Sequence, residues 1–337
     1  MSDSLKIVIP TAGFGTRMRP HTWSRPKPLV SAAGKTILGH VLDGIQTAPN
    51  AENAEFVFIV GYLGEQIERY MAEAHPAVKA HFVQQKELLG QSHAIAQARE
   101  YLQGPTLIVF VDTVIDADYA FLADEKADSV IWVKEVEDPR RFGVVEVGED
   151  GLVKGLIEKP DTMENNLAVV GIYYFKRGED LIAAIDQQIA ENVQTKNEFF
   201  LADAIDLMLK KGMTLRPEQV NQWLDAGLPE TVLETNRTLL AQGRDNSDTI
   251  KSKEDVTIKP PVFVDPSAEI VDSVIGPNVS IAADCVVRQS QVEESILERG
   301  VEIEGSELHT SIIGERCRVS GARGSLNIGD DSVTIGG

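Results

Sequence analysis

A chain of 337 residues has room for two domains of ordinary size, and its 43% hydrophobic and 25% charged content excludes a disordered or fibrous protein. Lys and Arg total 32 against 52 Asp and Glu, a formal net charge of -20. Such a surface repels phosphate backbones and anionic lipid, which excludes nucleic acid and membrane as general partners. An anionic ligand therefore needs a local cationic pocket or a metal ion.

The opening residues Met1–Lys6 show no cationic start followed by an apolar run, so no signal peptide is expected. No stretch approaches the ~20 apolar residues of a membrane span. Only Cys285 and Cys317 are present, too few for a disulfide framework, and a cytoplasmic setting is expected.

The pattern predicts a buried strand over Leu5–Pro10, a helix over Thr36–Thr47 and a strand over Glu55–Val60. A helix near Glu65–Ala74, a strand at Ala80–Gln84, a helix at Ser92–Leu102 and an apolar strand at Thr106–Val111 follow. This alternation implies a doubly wound α/β sheet, in which ligands bind at the carboxyl ends of the strands. The loop after Pro10 and Asp112 are thus the first places to look. From Asp128 to Phe175 the pattern reads as strands with a tight turn at Glu149–Gly151. Helices are expected at Asp180–Ala190, Phe199–Lys211 and Pro229–Leu240.

Residues 243–258 are polar enough for a linker, which divides the chain into a domain over 1–242 and another over 259–337. In the second, aliphatics recur every six residues (Val264, Ile270; Ile275, Ile281, Val287; Ile313, Val319), the mark of a parallel β-helix of about four coils. Cys285 and Cys317 fall at an inward hexad position and read as packing residues. The run Glu293, Glu294, Glu298, Glu302, Glu304 and Glu307 reads as the solvated outside of that helix. Stacked coils offer flat lateral faces, so a homo-oligomer is expected.

Gly13-Phe-Gly15 opens like a dinucleotide fingerprint, but Met18 replaces its third glycine, which disfavours a nicotinamide cofactor. Gly34-Lys-Thr36 ends like a P-loop, but Leu29 stands where its first glycine is required. His93 has no His or Cys neighbour and reads as structural. The wider loop Thr11–Leu29 says more. Its glycines let backbone N–H groups approach an anion, and Arg17, Arg19, Arg25 and Lys27 concentrate cations between prolines.

This loop resembles the signature of sugar-1-phosphate nucleotidylyltransferases, GxGxR followed by a proline, a threonine and PKPL. Gln85 with Leu89–Ala94 is similar to the family's base-binding stretch. Phe142–Val145, Glu158-Lys159-Pro160 and Val170–Tyr173 look like its sugar segments, and Trp223–Gly227 like its second metal-binding stretch. Within the family the chain is most similar to long-form glucose-1-phosphate thymidylyltransferases, which carry a hexapeptide-repeat tail. It departs at Val111, where the family usually has Gly, and at Lys196-Asn197-Glu198, where many members have Arg-Gly-Glu.

The resemblance implies a Rossmann-like mixed sheet followed by a left-handed parallel β-helix. It also implies transfer of a nucleotidyl group from a nucleoside triphosphate to a sugar 1-phosphate, with pyrophosphate leaving. The expected pairing is dTTP with glucose 1-phosphate; UTP-dependent and catalytically inactive scaffold readings are the alternatives. A phosphate nucleophile is already ionised at neutral pH, so cations and positioning, not a general base, are the chief requirement. Arg17, Lys27 and Asp112 are the implied catalytic residues. Ala12, Gly13, Gly15, Thr16, Gln85 and Gly90 are assigned to the nucleotide. Gly143, Glu158, Lys159, Gly171, Tyr173, Lys196 and Glu198 are assigned to the sugar phosphate. Asp112 and Asp225 are the implied ligands of Mg²⁺, a hard cation that takes carboxylate oxygen. The Gln85 amide offers a donor and an acceptor to the edge that thymine and uracil share.

Overall fold

The computed structural model describes residues 4–250 and 255–336; residues 251–254, within the segment expected as a linker, lie outside it, as do the first three residues and the last. Contacts group the chain into two units. One holds residues 1–13 and 41–223, the other residues 14–40 and 224–337.

The first unit is built on a nine-stranded mixed sheet. Its strands are β1 (Lys6–Pro10), β2 (Glu55–Val60), β3 (Lys79–Gln84), β4 (Thr106–Val109), β5 (Ser129–Glu135), β6 (Gly143–Val147), β7 (Val153–Glu158), β8 (Leu167–Phe175) and β9 (Leu215–Gln219). They run in the order β7-β6-β8-β4-β1-β2-β3, while β5 pairs with β8 and β9 with β5. β1 is parallel to β2 and β4, and β8 is antiparallel to β4, β5 and β6. The central strands are buried on both faces: Ile7, Val8 and Ile9 of β1 and Val57, Phe58 and Ile59 of β2 are fully covered. The edge strand β3 is only half-buried, as its end position requires.

Helix α1 (Ile37–Ile45) falls across the division at residue 41, and α2 (Gly64–Ala74), α3 (Gln91–Gln97), α4 (Gly178–Ala190) and α5 (Leu201–Lys210) belong to this unit. Leu181 and Ile185 of α4 and Leu201 and Ile205 of α5 pack with Val8, Ile59, Ile108 and Ile131 of the sheet into one core. Each such side chain contributes about 1.5–3 kcal/mol relative to exposure. The expected elements recur within a few residues of their sequence bounds, with one shortened helix. The segment expected as a helix to Leu102 leaves the α conformation at Ala98 and continues as a 3-10 turn over Arg99–Tyr101. There Arg99 Nε donates to the Ala96 carbonyl, a local bond in the helix's last turn.

The second unit carries the parallel β-helix: three sheets of five parallel strands, from Val256–Ile258 to Val333–Ile335, agreeing with the left-handed hexad fold expected. Val256 pairs with Ser273, Gln291 with Glu307 and Arg318 with Val333, so a coil takes 17, 16 or 15 residues and the stack has five coils, one more than three full hexads per coil allow. Residues with positive φ, among them Asp272, Asn278, Asp284, Gln289 and Arg316, make the tight corners. Val262, Ile275, Val279, Val287, Leu297, Ile303 and Ile313 fill the interior. Cys285 and Cys317 are free and fully buried there, as the hexad position predicts, and burial pushes the Cys285 thiol up to about 12.

Serine ladders seal two corners. Ser290 N–H donates to Ser273 Oγ, Ser306 N–H to Ser290 Oγ, and Ala322 N–H to Ser306 Oγ. Ser311 N–H likewise donates to Ser295 Oγ. No helix among the described residues is long and apolar enough to cross a membrane.

Candidate functional site

In the first unit, Ala12, Gln85 and Asp112 each follow the carboxyl end of a parallel strand. β1 runs into buried Ala12 and exposed Gly13. Ala12 lies against the start of the next loop, since a Cβ on Gly61 would come 2.7 Å from its carbonyl. Gln85 follows β3, is buried, and its backbone N–H donates to Val60 O at 2.8 Å. The Gln85 side-chain nitrogen lies 3.4 Å from His93 Nδ1. His93 therefore orients a glutamine, in keeping with a structural role.

Gly90, within the stretch Gln85–Ala94, stands where only glycine fits. Its φ is +114°, and a Cβ would stand 2.6 Å from Phe199 N. Phe199 N–H donates to Leu89 O and Ser92 N–H to Phe199 O, each at 2.9 Å, which stitches the Gln85–Ser92 stretch to the segment after Glu198. Lys196 and Asn197 both take positive φ between Thr195 and Glu198, which exchange backbone hydrogen bonds. This is the geometry of a type I′ hairpin turn, and Asn is among the residues that tolerate it. Lys196 and Glu198 are exposed on that turn.

The segments around Gly143 and Phe200 come together at Glu158 and Lys159, at the end of β7. Gly143 pairs with Glu158 across the β6–β7 hairpin, and a Cβ on Gly143 would come 2.9 Å from Glu158 Oε2. Lys159 Nζ lies 3.5 Å from Glu158 Oε1 and 5.1 Å from the centre of the Phe200 ring. Burial raises the Glu158 carboxyl above its ordinary range, against the pull of Lys159 and Lys196. Asp203 on α5 is raised as well, by burial first, and repels Glu158. Thr195 Oγ1 donates to Asp203 Oδ1 at 3.3 Å, while the buried Asp203 Oδ2 has no hydrogen-bond partner.

Tyr173 on β8 is buried, with its ring edge-on to Phe110 at 6.3 Å. Its hydroxyl is pushed up by burial and then by the charges of Glu158 and Asp112, which places both carboxylates in its surroundings. The neighbouring Tyr174 is equally covered. Gly171 O accepts from Phe110 N–H, so β8 runs beside the backbone that leads to half-buried Asp112. Phe142 packs edge-on against Trp223 at 4.9 Å, and the Trp223 indole N–H is buried without a partner.

The second unit carries the rest. Gly15 is left-handed, and a Cβ there would come 3.1 Å from both Lys27 Cβ and Thr22 Cγ2. Thr22 Oγ1 donates to Gly15 O at 2.8 Å. Thr16 and Arg17 are exposed on a 3-10 turn (Thr16–Met18) anchored by fully buried Met18, and Lys27 opens a second turn over Lys27–Leu29. Asp225 is half-buried; its Oδ1 accepts from Gly227 N–H at 2.7 Å and its carbonyl accepts from Thr235 Oγ1 at 3.0 Å.

Two charged residues sit otherwise than their sequence context suggests. Arg25, grouped by sequence with the other loop cations, is buried in ion pairs with Glu298, Glu315 and Asp330. Glu298, expected to be solvated, is 3% exposed because it receives that guanidinium together with the N–H and hydroxyl of Ser31. Asp203 and Phe200, which complete the Glu158 cluster, were not singled out from sequence. Their signal is spacing: one turn of α5 separates Phe200 from Asp203.

Each of the two expected aspartates is of the donor type that a hard divalent ion takes. Asp112 and Asp225 offer carboxylate oxygen, and no group of three or more His, Cys, Asp or Glu that could hold a metal occurs among the described residues. Mg²⁺ typically takes one or two carboxylates and completes its shell with water and substrate phosphate, so such a group is not required.

The chain is 27% identical over 343 residues to a glucose-1-phosphate thymidylyltransferase of Streptomyces griseus, covering 94% of each chain. It is 32% identical over 267 residues to the bifunctional protein GlmU of Methanocaldococcus jannaschii, spanning 78% of this chain but 61% of that longer one. A solved UDP-glucose pyrophosphorylase complexed with UDP-glucose superposes with a TM-score of 0.61 at 20% identity, covering 71% of this chain and all of that one, a likeness of fold. The family model described as nucleotidyl transferase matches residues 6–242, from the first strand through the last helix of the α/β region, and the chain belongs to that family.

Proposed function

We propose that the protein joins a nucleoside triphosphate to a sugar 1-phosphate with release of pyrophosphate, and that dTTP and glucose 1-phosphate are its substrates. The observation that carries the pairing is coverage. The thymidylyltransferase relative is matched over 94% of both chains, β-helix included, whereas GlmU extends well beyond this chain. Gln85 accommodates uracil as readily as thymine, because N3–H and O4 are common to both, and UTP is the second reading.

In this reading, Arg17 and Lys27 take the triphosphate, the guanidinium as a bidentate fork and the ammonium as a point charge against the leaving pyrophosphate. Ala12, Gly13, Gly15 and Thr16 bring backbone close to the phosphates, and Gln85 and Gly90 receive the base. Lys159, steadied over Phe200, holds the sugar phosphate with help from Lys196. Glu158 and Glu198 accept from sugar hydroxyls, while Gly143, Gly171 and Tyr173 shape the floor. Asp112 and Asp225 are the residues that would hold Mg²⁺, which would supply positive charge against the α-phosphate and ease the approach of one anion to another. The β-helix gives the chain lateral faces for a homo-oligomer, and a molar mass in solution above the monomer's 36.8 kDa is expected.

The test is pyrophosphate release with Mg²⁺ across dTTP, UTP, ATP and GTP against several sugar 1-phosphates. Turnover of dTTP with glucose 1-phosphate, lost in Asp112→Ala, is the expected result. Preference for UTP overturns the base, and silence across the panel overturns the enzyme.

A further inference from the structure

One buried charge cluster lies outside the site just described, and it sits under the loop that carries Arg17 and Lys27. Arg25 Nη1 lies 3.0 Å from Glu298 Oε2, and its Nη2 lies 2.8 Å from Asp330 Oδ1 and 3.2 Å from Glu315 Oε1. The three carboxylates come from the same corner of successive coils. Each follows an aliphatic strand end, as Leu297-Glu298, Ile313-Gly314-Glu315 and Ile328-Gly329-Asp330. Coils stack at about 4.8 Å, so the corner forms a column of acids that one guanidinium fork bridges. Burial works against the charge on Arg25, but Glu298, Asp330 and Glu315 outweigh it and hold the group protonated.

More of the loop is fastened to the same column. Ser24 Oγ donates to Asp330 Oδ2 at 2.7 Å, and Ser31 donates twice to Glu298 at 2.9 Å. His21 hydrogen-bonds Asn327 through its ring. Pro20 lies so close to Gly329 that a Cβ there would come 3.1 Å from it. Every one of these residues except Ser31 lies between Arg17 and Lys27 in the chain. The loop has only two short 3-10 turns between Gly15 and Val30, and Phe14 and Trp23 are exposed. Its course therefore depends on what its side chains grip.

We propose that the β-helix positions the triphosphate-binding loop, with Arg25 as the positioning residue that locks Arg17 and Lys27 in place through the Glu298–Glu315–Asp330 column. The tail is then a working part of nucleotide binding, whatever it does in assembly. The inference rests on assigning Arg17 and Lys27 to the triphosphate.

Arg25→Lys keeps the charge but loses the fork; Glu298→Gln keeps the shape but loses one charge, and serves if the lysine variant fails to fold. Arg288→Ala, which removes an exposed pair with Glu269 on the same β-helix, is the control. In the full-length protein without substrates, hydrogen exchange over residues 14–27 is expected to speed up at least ten-fold in both loop variants and to stay at the wild-type rate in the control. Exchange over the strands at 279–281 and 312–313 stays unchanged. In turnover, KM for the triphosphate rises about ten-fold while KM for the sugar phosphate stays within two-fold. Unchanged loop exchange, or an equal rise in both KM values, overturns the inference. A wild-type protein silent with every triphosphate overturns the functional reading instead, and the exchange measurement still decides the anchor.

Discussion

Two clusters, one in each unit, treat buried charge in opposite ways. Around Arg25 every buried carboxylate oxygen has a donor, and the guanidinium bridges three acids. Around Glu158 two carboxylates are raised by burial, Asp203 Oδ2 has no partner, and Lys159 stands 3.5 Å off. A satisfied cluster has spent its bonding capacity on the fold, and an unsatisfied one keeps it for something that arrives. Two charged segments of the sequence, the PKPL loop and the Glu-Lys-Pro strand end, therefore contain charges of quite different use.

Arg25→Met breaks this contrast most severely. It leaves two acids buried without their cation, a loss of about 3–5 kcal/mol that urea unfolding would show as a lower midpoint with unchanged slope. Lys159→Met is the counterpart. Its side chain rests on Phe200 rather than in a closed network, so stability should stay within ~1 kcal/mol while kcat/KM falls about 100-fold, close to 2.7 kcal/mol of binding. If both variants lose stability alike, the distinction between anchor and site fails.

Glu158→Gln sharpens the comparison through pH. A carboxyl raised in the folded state binds its proton more tightly there than in the unfolded chain. It contributes stability below the unfolded pKa of about 4.3 and loses that contribution as pH rises through the folded value. Relative to wild type, the glutamine variant should therefore gain stability across that window, while its KM for sugar phosphate rises about ten-fold. Glu55 runs the other way. Its carboxyl is held low by Lys6 first and then Lys79, so its contribution is present above the unfolded pKa and is lost as pH falls. Unfolding curves of Glu55→Gln and Glu158→Gln from pH 4 to 7 should diverge in opposite directions from wild type.

Local pattern made the elements of the α/β region legible, because its strands and helices are set by hydrophobic spacing over a few residues. The six-residue period likewise announced the β-helix and turned Cys285 and Cys317 inward. The coil count slipped because αL corners such as Asn278 and Asp284 shorten each coil below eighteen residues. Arg25 was beyond a local reading: its partners lie roughly 270 to 305 residues away, and nothing near it separates it from Arg17 or Arg19. The usable signal was in the tail, where an acid recurs after the aliphatic strand end in three coils. Asp203 was missed for a related reason, since a helix carboxylate shows its burial only once α5 is packed.

The mildest test concerns neutral groups on the satisfied side. In the corner ladder, Ser290 Oγ accepts the buried N–H of Ser306 and donates to Arg288 O at 2.6 Å. Ser290→Ala removes the acceptor and should cost about 1 kcal/mol, the usual net value of a hydrogen bond, with more expected only if no water reaches the corner. The ladder supplies its own comparison at Ala322, which takes the next position and whose N–H still donates to Ser306 Oγ at 3.1 Å. Among the described residues no further N–H is bonded at that position. Ala322→Ser should thus be neutral in urea unfolding while Ser290→Ala is not. Equal costs would mean that the serines matter for their volume and not for the bonds they pass from coil to coil.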